Sequence, residues 1–441
     1  MIVTTKRDVF PLHMTPFESY MFVDDSPNYP MTFVMEYKLT GEIDRQAFQS
    51  AFDQALLRHP MLRSVIRPAK SNRDCWVHAE GYNNQIEWAD LHEPIYVNGA
   101  GAYINLREEI GVRIWGRNNQ DQAVIVAAFH HTATDGIGAY QFFGDLFWYY
   151  AKSLGADVAP LPEIDPQDLR KRLNANVSRE LLVEKDGEKL SHDTAQPLAP
   201  KKDSSQPTGK RFQFPRFLSH TFDKAEYREL RLKAQDDGQT VNDRLLKTLL
   251  VTLADWNEAN QQNPDGDICI NMPLDLRQSE HPPFSAINVV TCSFIRRSNQ
   301  QIKDREGLST FLREEAIRVK HSRLKSPFMR LLVQSPVDLR DAETSYASND
   351  CLATAIFSNT GDQSRRFQAD LPREKGVVQC GNLRLDDMTA VSPLRDKTRL
   401  AVGIFTYKRL LKIGIRTDPF YFSMQDSQEL LDLYMHNFRI G

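Results

Sequence analysis

The amino-acid sequence predicts an α/β (α+β) protein built as two similar lobes, each a mixed sheet flanked by helices. Three observations predict this. Strand-like runs of β-branched and aromatic residues alternate with segments of 3.6-residue apolar periodicity. The two halves of the 441 residues read alike in element type, and the length suits two or three domains. Between the halves, Pro160, Pro162, Pro166, Pro197, Pro200 and Pro207 surround a charged run at 184–189, the composition of an exposed connection.

Residues 32–39 are rich in β formers and end at the turn signal Thr40-Gly41, so they read as a strand. Residues 44–58 carry Ala47, Phe48, Ala51, Ala55 and Leu56 on one helical face, with Asp44 as N-cap. Pro60 stops that helix, because proline disfavours helical backbone in the residue before it. Short strands are expected at 73–78 and 85–88, and a helix at 102–109. Strands at 112–115 and 123–129 flank the polar turn 118–121. Residues 137–154 place Tyr140, Phe143, Phe147 and Tyr150 on one side of a helix. Part of the connection, 167–184, also reads as helical. The lobes are expected at 1–184 and 211–441, with a linker at 185–210.

The second half opens with a strand at 217–222 and a helix at 224–235. Thr240-Val241-Asn242-Asp243 caps a long apolar helix that runs through Trp256. Strands follow at 268–274, 287–295, 352–358, 376–380, 400–407 and 410–415. Helices are expected at 307–321 and 427–437.

Lys+Arg number 55 against 58 Asp+Glu, a net charge of −3. Proteins that coat nucleic acid usually carry a strong basic excess, so the balance argues against that class, though not against a local basic patch. The longest unbroken apolar run, 123–129, falls far short of the roughly 20 residues a spanning helix needs. No apolar signal-peptide core opens the chain, and a cytoplasmic location is expected. The five cysteines are odd in number and form no C-x-x-C pair, which argues against a disulfide framework or a structural zinc site.

One segment carries chemistry: His130-His131-Thr132-Ala133-Thr134-Asp135-Gly136, between an apolar strand and an aromatic-rich helix. Sheet-fixed strand ends that feed loops are common places for reactive groups. Neighbouring strand residues point to opposite faces, so His130 and His131 serve different surroundings. That opposition disfavours a metal site of His130, His131 and Asp135, and no metal is expected. A core histidine pair with a capping Asp is the structural alternative.

The segment resembles the HHxxxDG signature of the chloramphenicol-acetyltransferase-like superfamily, which includes nonribosomal peptide condensation domains and polyketide-associated acyltransferases. The resemblance runs along nearly the whole chain in the expected order. It takes in residues 11–18, the Arg58-His59-Pro60-Met61-Leu62-Arg63 helix end, Thr240-Val241-Asn242-Asp243, and Pro273-Leu274-Asp275-Leu276-Arg277. Residues 287–290 stand where a Gly-Asn strand usually lies, with Ile287 in place of glycine. Ser358-Asn359-Thr360-Gly361 is similar to the SNxG element. The DFGWG motif of the plant branch is absent.

The resemblance implies two chloramphenicol-acetyltransferase-like lobes with the active site in a channel at their interface. It implies that His131 is the general base and that no covalent acyl-enzyme forms. Asp135 would pair with Arg277 and, with His130, support the site. Gly136 would present its N–H to the oxyanion, and Ser358 and Asn359 would line the channel. The donor would be acyl-coenzyme A or an acyl-phosphopantetheine arm on a carrier protein, supplied from outside the chain. The acceptor would be a small molecule with a hydroxyl or amine. No bound cofactor and no nucleic acid is expected. The alternative is a catalytically inactive relative that binds carrier proteins or other partners.

Overall fold

A computed structural model describes residues 9–69, 74–172, 194–202, 209–260, 266–278, 281, 283–322, 326–334 and 351–440. The architecture is the mixed α/β arrangement expected: two mixed sheets flanked by helices. The larger sheet has seven strands in the order Arg373–Glu374, Val377–Cys380, Leu383–Val391, Thr32–Thr40, Gln122–His130, Val112–Asn118 and Glu87–Asp90. The other has six, in the order Leu218–Thr221, Leu410–Thr417, Leu400–Tyr407, Ala355–Asp362, Asp267–Asp275 and Val290–Ser298. Two smaller ribbons complete the β structure. One pairs Leu12–His13, Asp74–His78 and Ser64–Pro68, and the other pairs Ile95–Asn98 with Arg211–Phe214.

The hydrophobic pattern explains the first layer. Thr32–Thr40 and Gln122–His130 pair antiparallel from Thr32↔His130 to Thr40↔Gln122, and both strands are almost continuously apolar and buried. Helices Arg45–Arg58 and Gly136–Ser153 pack against each other over this sheet. Their seam is aromatic: Phe52 meets Phe142 edge-on at 5.9 Å, and Phe48 meets Tyr150 at 5.5 Å. Asp44 caps the first helix through the N–H groups of Gln46 and Ala47. In the second layer, Val241–Ala259 packs against Met424–Ile440, and the Tyr434 hydroxyl donates to the Leu245 carbonyl at 2.9 Å. Thr240 and Asp243 close a reciprocal cap at its start.

Two departures stand out. Residues 102–109 form no helix. Their backbone groups are claimed by tertiary partners: Thr32 Oγ1 donates to the Ala102 carbonyl and the Ile66 amide to the Leu106 carbonyl, leaving one turn at Asn105. The second departure is strand Leu383–Val391. It comes from the second half of the sequence yet pairs antiparallel with Thr32–Thr40, from Arg384↔Thr40 to Val391↔Val34. The first-half sheet therefore contains three strands from the C-terminal part of the chain. Of the expected linker 185–210, residues 194–202 and 209–210 are described. The expected helix at 167–184 is a 3₁₀ turn, Pro166–Lys171, as far as Arg172, and 173–184 lie outside the described residues.

Candidate functional site

His131 follows the last residue of Gln122–His130, and Asp135 immediately precedes helix Gly136–Ser153. The loop between them is fixed at nearly every residue. The His131 amide donates to the Met31 carbonyl at 2.7 Å, which continues the Thr32↔His130 ladder by one bond. Asn288 Nδ2 donates to the His131 carbonyl at 2.6 Å and lies 3.5 Å from its Nδ1. The imidazole stands edge-on to Phe33 at 5.2 Å. Burial pushes the His131 pKa below its ordinary 6.5, more than the Asp135 charge and a hydrogen bond to its own backbone raise it. The shift favours the neutral ring.

His130 turns the other way, as strand alternation requires. It is fully buried, its Nδ1 accepts the Thr132 amide at 3.2 Å, and its Nε2 faces Asp25 Oδ2 at 3.5 Å.

Asp135 is the junction of the loop. Its Oδ1 accepts the Gly138 amide at 2.8 Å, capping the helix. Arg277 meets it bidentately, Nη1 to Oδ2 at 2.8 Å and Nη2 to Oδ1 at 3.0 Å. The Val289 amide adds a fourth bond to Oδ2 at 2.7 Å. Burial works to lower the Arg277 pKa, but Asp135 and Asp275 more than offset it and the net direction is upward.

A segment of the second half, 286–289, staples this loop in place. The Asp135 amide and Arg277 Nη2 both donate to the Ile287 carbonyl, at 3.3 and 3.1 Å. The Ala286 amide donates to His59 Nδ1 at 2.8 Å, and His59 Nε2 lies 3.0 Å from Asp145 Oδ2 in the middle of the motif helix. The Arg58-His59-Pro60 signature thus ties the first helix, the motif helix and the staple together.

The two glycines of the helix start behave differently. A Cβ on Gly138 would lie 2.2 Å from Thr134 Oγ1 and 2.9 Å from the backbone of Ile287. A Cβ on Gly136 would meet only the Thr360 methyl, at 4.0 Å. Packing demands glycine at 138, whereas at 136 its absence of a side chain leaves room on the cleft side.

That cleft, about 780 Å³ with its mouth included, opens between the sheets. The first sheet and motif helix contribute Phe33, His131, Gly136, Ile137 and Tyr140, together with Ala390 and Val391 of the exchanged strand. The second sheet contributes Leu274, Asp275, Ser358, Asn359, Ile404 and Phe405. His131, Asp135, Gly136, Ser358 and Asn359 all line it, whereas Arg277 reaches the site through Asp135 and His130 sits behind it. Asn359 Nδ2 donates to Asn242 Oδ1 at 2.9 Å, so the capped helix start at 240–243 adjoins the cleft. Tyr140 is buried, bonded to Gln363, and its hydroxyl is pushed up to about 12 by burial. Sequence reasoning missed Asn288, Gly138 and Tyr140 as parts of the site. For Asn288 a signal existed in the Gly-Asn-like strand at 287–290, and Tyr140 lay hidden among the core aromatics of its helix.

All five cysteines are buried and free. Among the described residues there is no group of His, Cys, Asp or Glu arranged to hold a metal, and no helix long and apolar enough to cross a membrane.

No family model matches the chain. An uncharacterized protein of Mycobacterium tuberculosis, present in strains CDC 1551 and H37Rv, is 20% identical over 273 residues, 58% of this chain. The match spans 60% of that relative's length. Among solved structures, the trichothecene 15-O-acetyltransferase of Fusarium sporotrichioides superimposes with a TM-score of 0.63 at 13% identity, covering 96% of this chain and 93% of its own. The condensation domain of the monacolin K polyketide synthase gives 0.63 at 13%, covering 98% and 96%. The starter condensation domain of rhizomide synthetase, in complex with C8-CoA and Leu-SNAC, gives 0.62 at 11%, covering 98% and 94%. The chain has the two-lobed fold of condensation domains and chloramphenicol-acetyltransferase-like acetyltransferases.

Proposed function

We propose that the protein transfers an acyl group from a thioester, coenzyme A or a carrier-borne phosphopantetheine, to a hydroxyl or amine acceptor in the inter-sheet cleft. The observation that carries this reading is His131: a neutral imidazole, pinned at its N–H and carbonyl, facing a cleft assembled from both sheets. With the ring's hydrogen bond to its own backbone made through Nδ1–H, Nε2 is the nitrogen that takes the acceptor's proton as its oxygen or nitrogen attacks the thioester carbon. The C–S bond breaks as the tetrahedral adduct collapses, and the thiolate leaves with the proton from the imidazolium. The oxyanion forms beside the start of helix Gly136–Ser153, where first-turn amides lack intrahelical partners and the dipole favours negative charge. Asp135 and Arg277 hold the loop rather than the substrate. The acetyltransferase and the condensation domains that share this fold support the same reaction class.

The test is a screen of acyl-coenzyme A and acyl-carrier thioesters by mass spectrometry, with His131→Ala as control. Transfer by the wild type and its loss in the variant are expected. Full activity in His131→Ala would overturn the mechanism. Binding of carrier proteins with no turnover on any thioester would instead favour a non-catalytic relative.

A further inference from the structure

The ladder that positions His131 runs out just where the base begins. Its last pair is Thr32↔His130, and only the Met31 carbonyl reaches the His131 amide beyond it. Met31 precedes the strand, so no neighbouring strand fixes its own N–H. That N–H is taken by Asp25, whose Oδ1 accepts it at 2.7 Å. The other oxygen of the same carboxylate, Oδ2, lies 3.5 Å from His130 Nε2. Because His130 Nδ1 accepts the Thr132 amide, the neutral ring carries its proton on Nε2, toward Asp25. The side chain of Asp25 is 8% exposed, and the preceding residue, Asp24, is bonded at 2.6 Å to Arg395 Nη2 from the second half. One carboxylate thus holds the peptide before His131's strand end and sets its charge against the His130 side chain, and its own segment is anchored across the molecule.

We propose that Asp25 is a positioning residue for His131, acting through Met31 on its amide and through His130 on the residue before it. The role rests on the acyl-transfer reading given above. It differs from that of Asp135 and Arg277, which hold the far end of the loop. A carboxylate suits the task because one oxygen accepts the Met31 N–H while the other presents negative charge 3.5 Å from His130 Nε2.

The test compares Asp25→Ala and Asp25→Asn with the wild type. Turnover is followed as thiol release from acyl-coenzyme A, and backbone exchange by hydrogen–deuterium mass spectrometry. Misplacing a base by a fraction of an ångström to an ångström costs up to about 100-fold, so Asp25→Ala is expected to lower kcat by about 10- to 100-fold with KM for both substrates nearly unchanged. Asp25→Asn should fall between, since its amide oxygen still accepts the Met31 N–H while its NH₂ confronts His130 Nε2–H. Peptides spanning 29–33 and 129–135 should exchange faster in the Ala variant and the remainder of the chain should not. Unchanged kcat in Asp25→Ala, alongside an inactive His131→Ala, would overturn the role. So would a rise in exchange spread over the whole chain, the mark of a merely structural residue. If the wild type turns over no thioester, the acyl-transfer reading fails by itself. Local exchange then decides the brace: faster at those two peptides supports it, unchanged overturns it.

Discussion

The two walls of the cleft are built to opposite standards. On the first-half wall, loop 130–138 leaves little to chance: Asp135 accepts four hydrogen bonds, and His131 is held at both its amide and its carbonyl. On the second-half wall, Ser358 is half-buried, Asn359 is exposed, and Arg366 holds Asp275 only at 4.0 Å while donating to the Thr360 carbonyl at 3.2 Å. Strand Ala355–Asp362 carries a register shift between Asn359 and Gly361, and Gly361 has φ +66°. A reacting base needs fixed geometry, whereas a surface that admits varied substrates needs adjustable polar groups. Under the proposed mechanism, the difference assigns chemistry to one wall and selectivity to the other.

That division can be broken in order of expected effect. His131→Ala removes the proposed base and should cost about 10²- to 10⁴-fold in kcat without changing the melting temperature, measured by thiol release and calorimetry. Arg277→Met leaves the Asp135 carboxylate buried and unpaired, a loss of about 3–5 kcal/mol readable in denaturant titration. Gly138→Ala forces overpacking against Ile287 and should destabilise by about 1–3 kcal/mol. Gly136→Ala, with nothing to strike in the protein itself, should leave stability intact and lower kcat/KM by crowding the cleft. If the two glycine variants exchanged phenotypes, the contrast between packing and cleft would be wrong. Ser358→Ala and Asn359→Ala should shift stability by less than about 0.5 kcal/mol and change KM for one substrate more than kcat.

The pH dependence sharpens the same point. The folded pKa of His131 is lowered, so the unfolded chain binds its proton more readily. This group's contribution to stability is therefore full above the unfolded value of about 6.5 and is lost as pH falls toward the lowered folded value. For catalysis the same shift extends the neutral base to more acid conditions. The acid limb of kcat/KM is expected to fall below pH 6.5, and a limb at or above that value would contradict the burial of the ring.

Much of the motif side was legible in the sequence because its signals are local. Asp44, Thr240 and the 122–130 and 32–40 strands announce themselves within a few residues, and helix 137–154 was displaced by only one residue from Gly136–Ser153. The staple at 286–289 was legible only as a Gly-Asn-like element, and its bonds to the loop were not, since they join residues some 150 positions apart. Strand Leu383–Val391 escaped for a different reason. Its alternation of Leu383, Leu385, Met388 and Val391 slips at a bulge between Leu385 and Asp387, and two consecutive aspartates there disguise a strand. The segment at 102–109 shows the reverse error, a helical pattern overruled by tertiary demands on its backbone.

The exchanged strand also fixes what each half can be without the other. Without Leu383–Val391, the nine residues Thr32–Thr40 would become an open edge with unpaired N–H and C=O groups beside a buried aromatic core. The N-terminal portion expressed alone is therefore expected to aggregate, while two fragments produced together from a cut within 185–193 should assemble by strand complementation. Such a split pair would restore the cleft only when both are present, and that would make the protein a ready two-piece reporter of its own assembly.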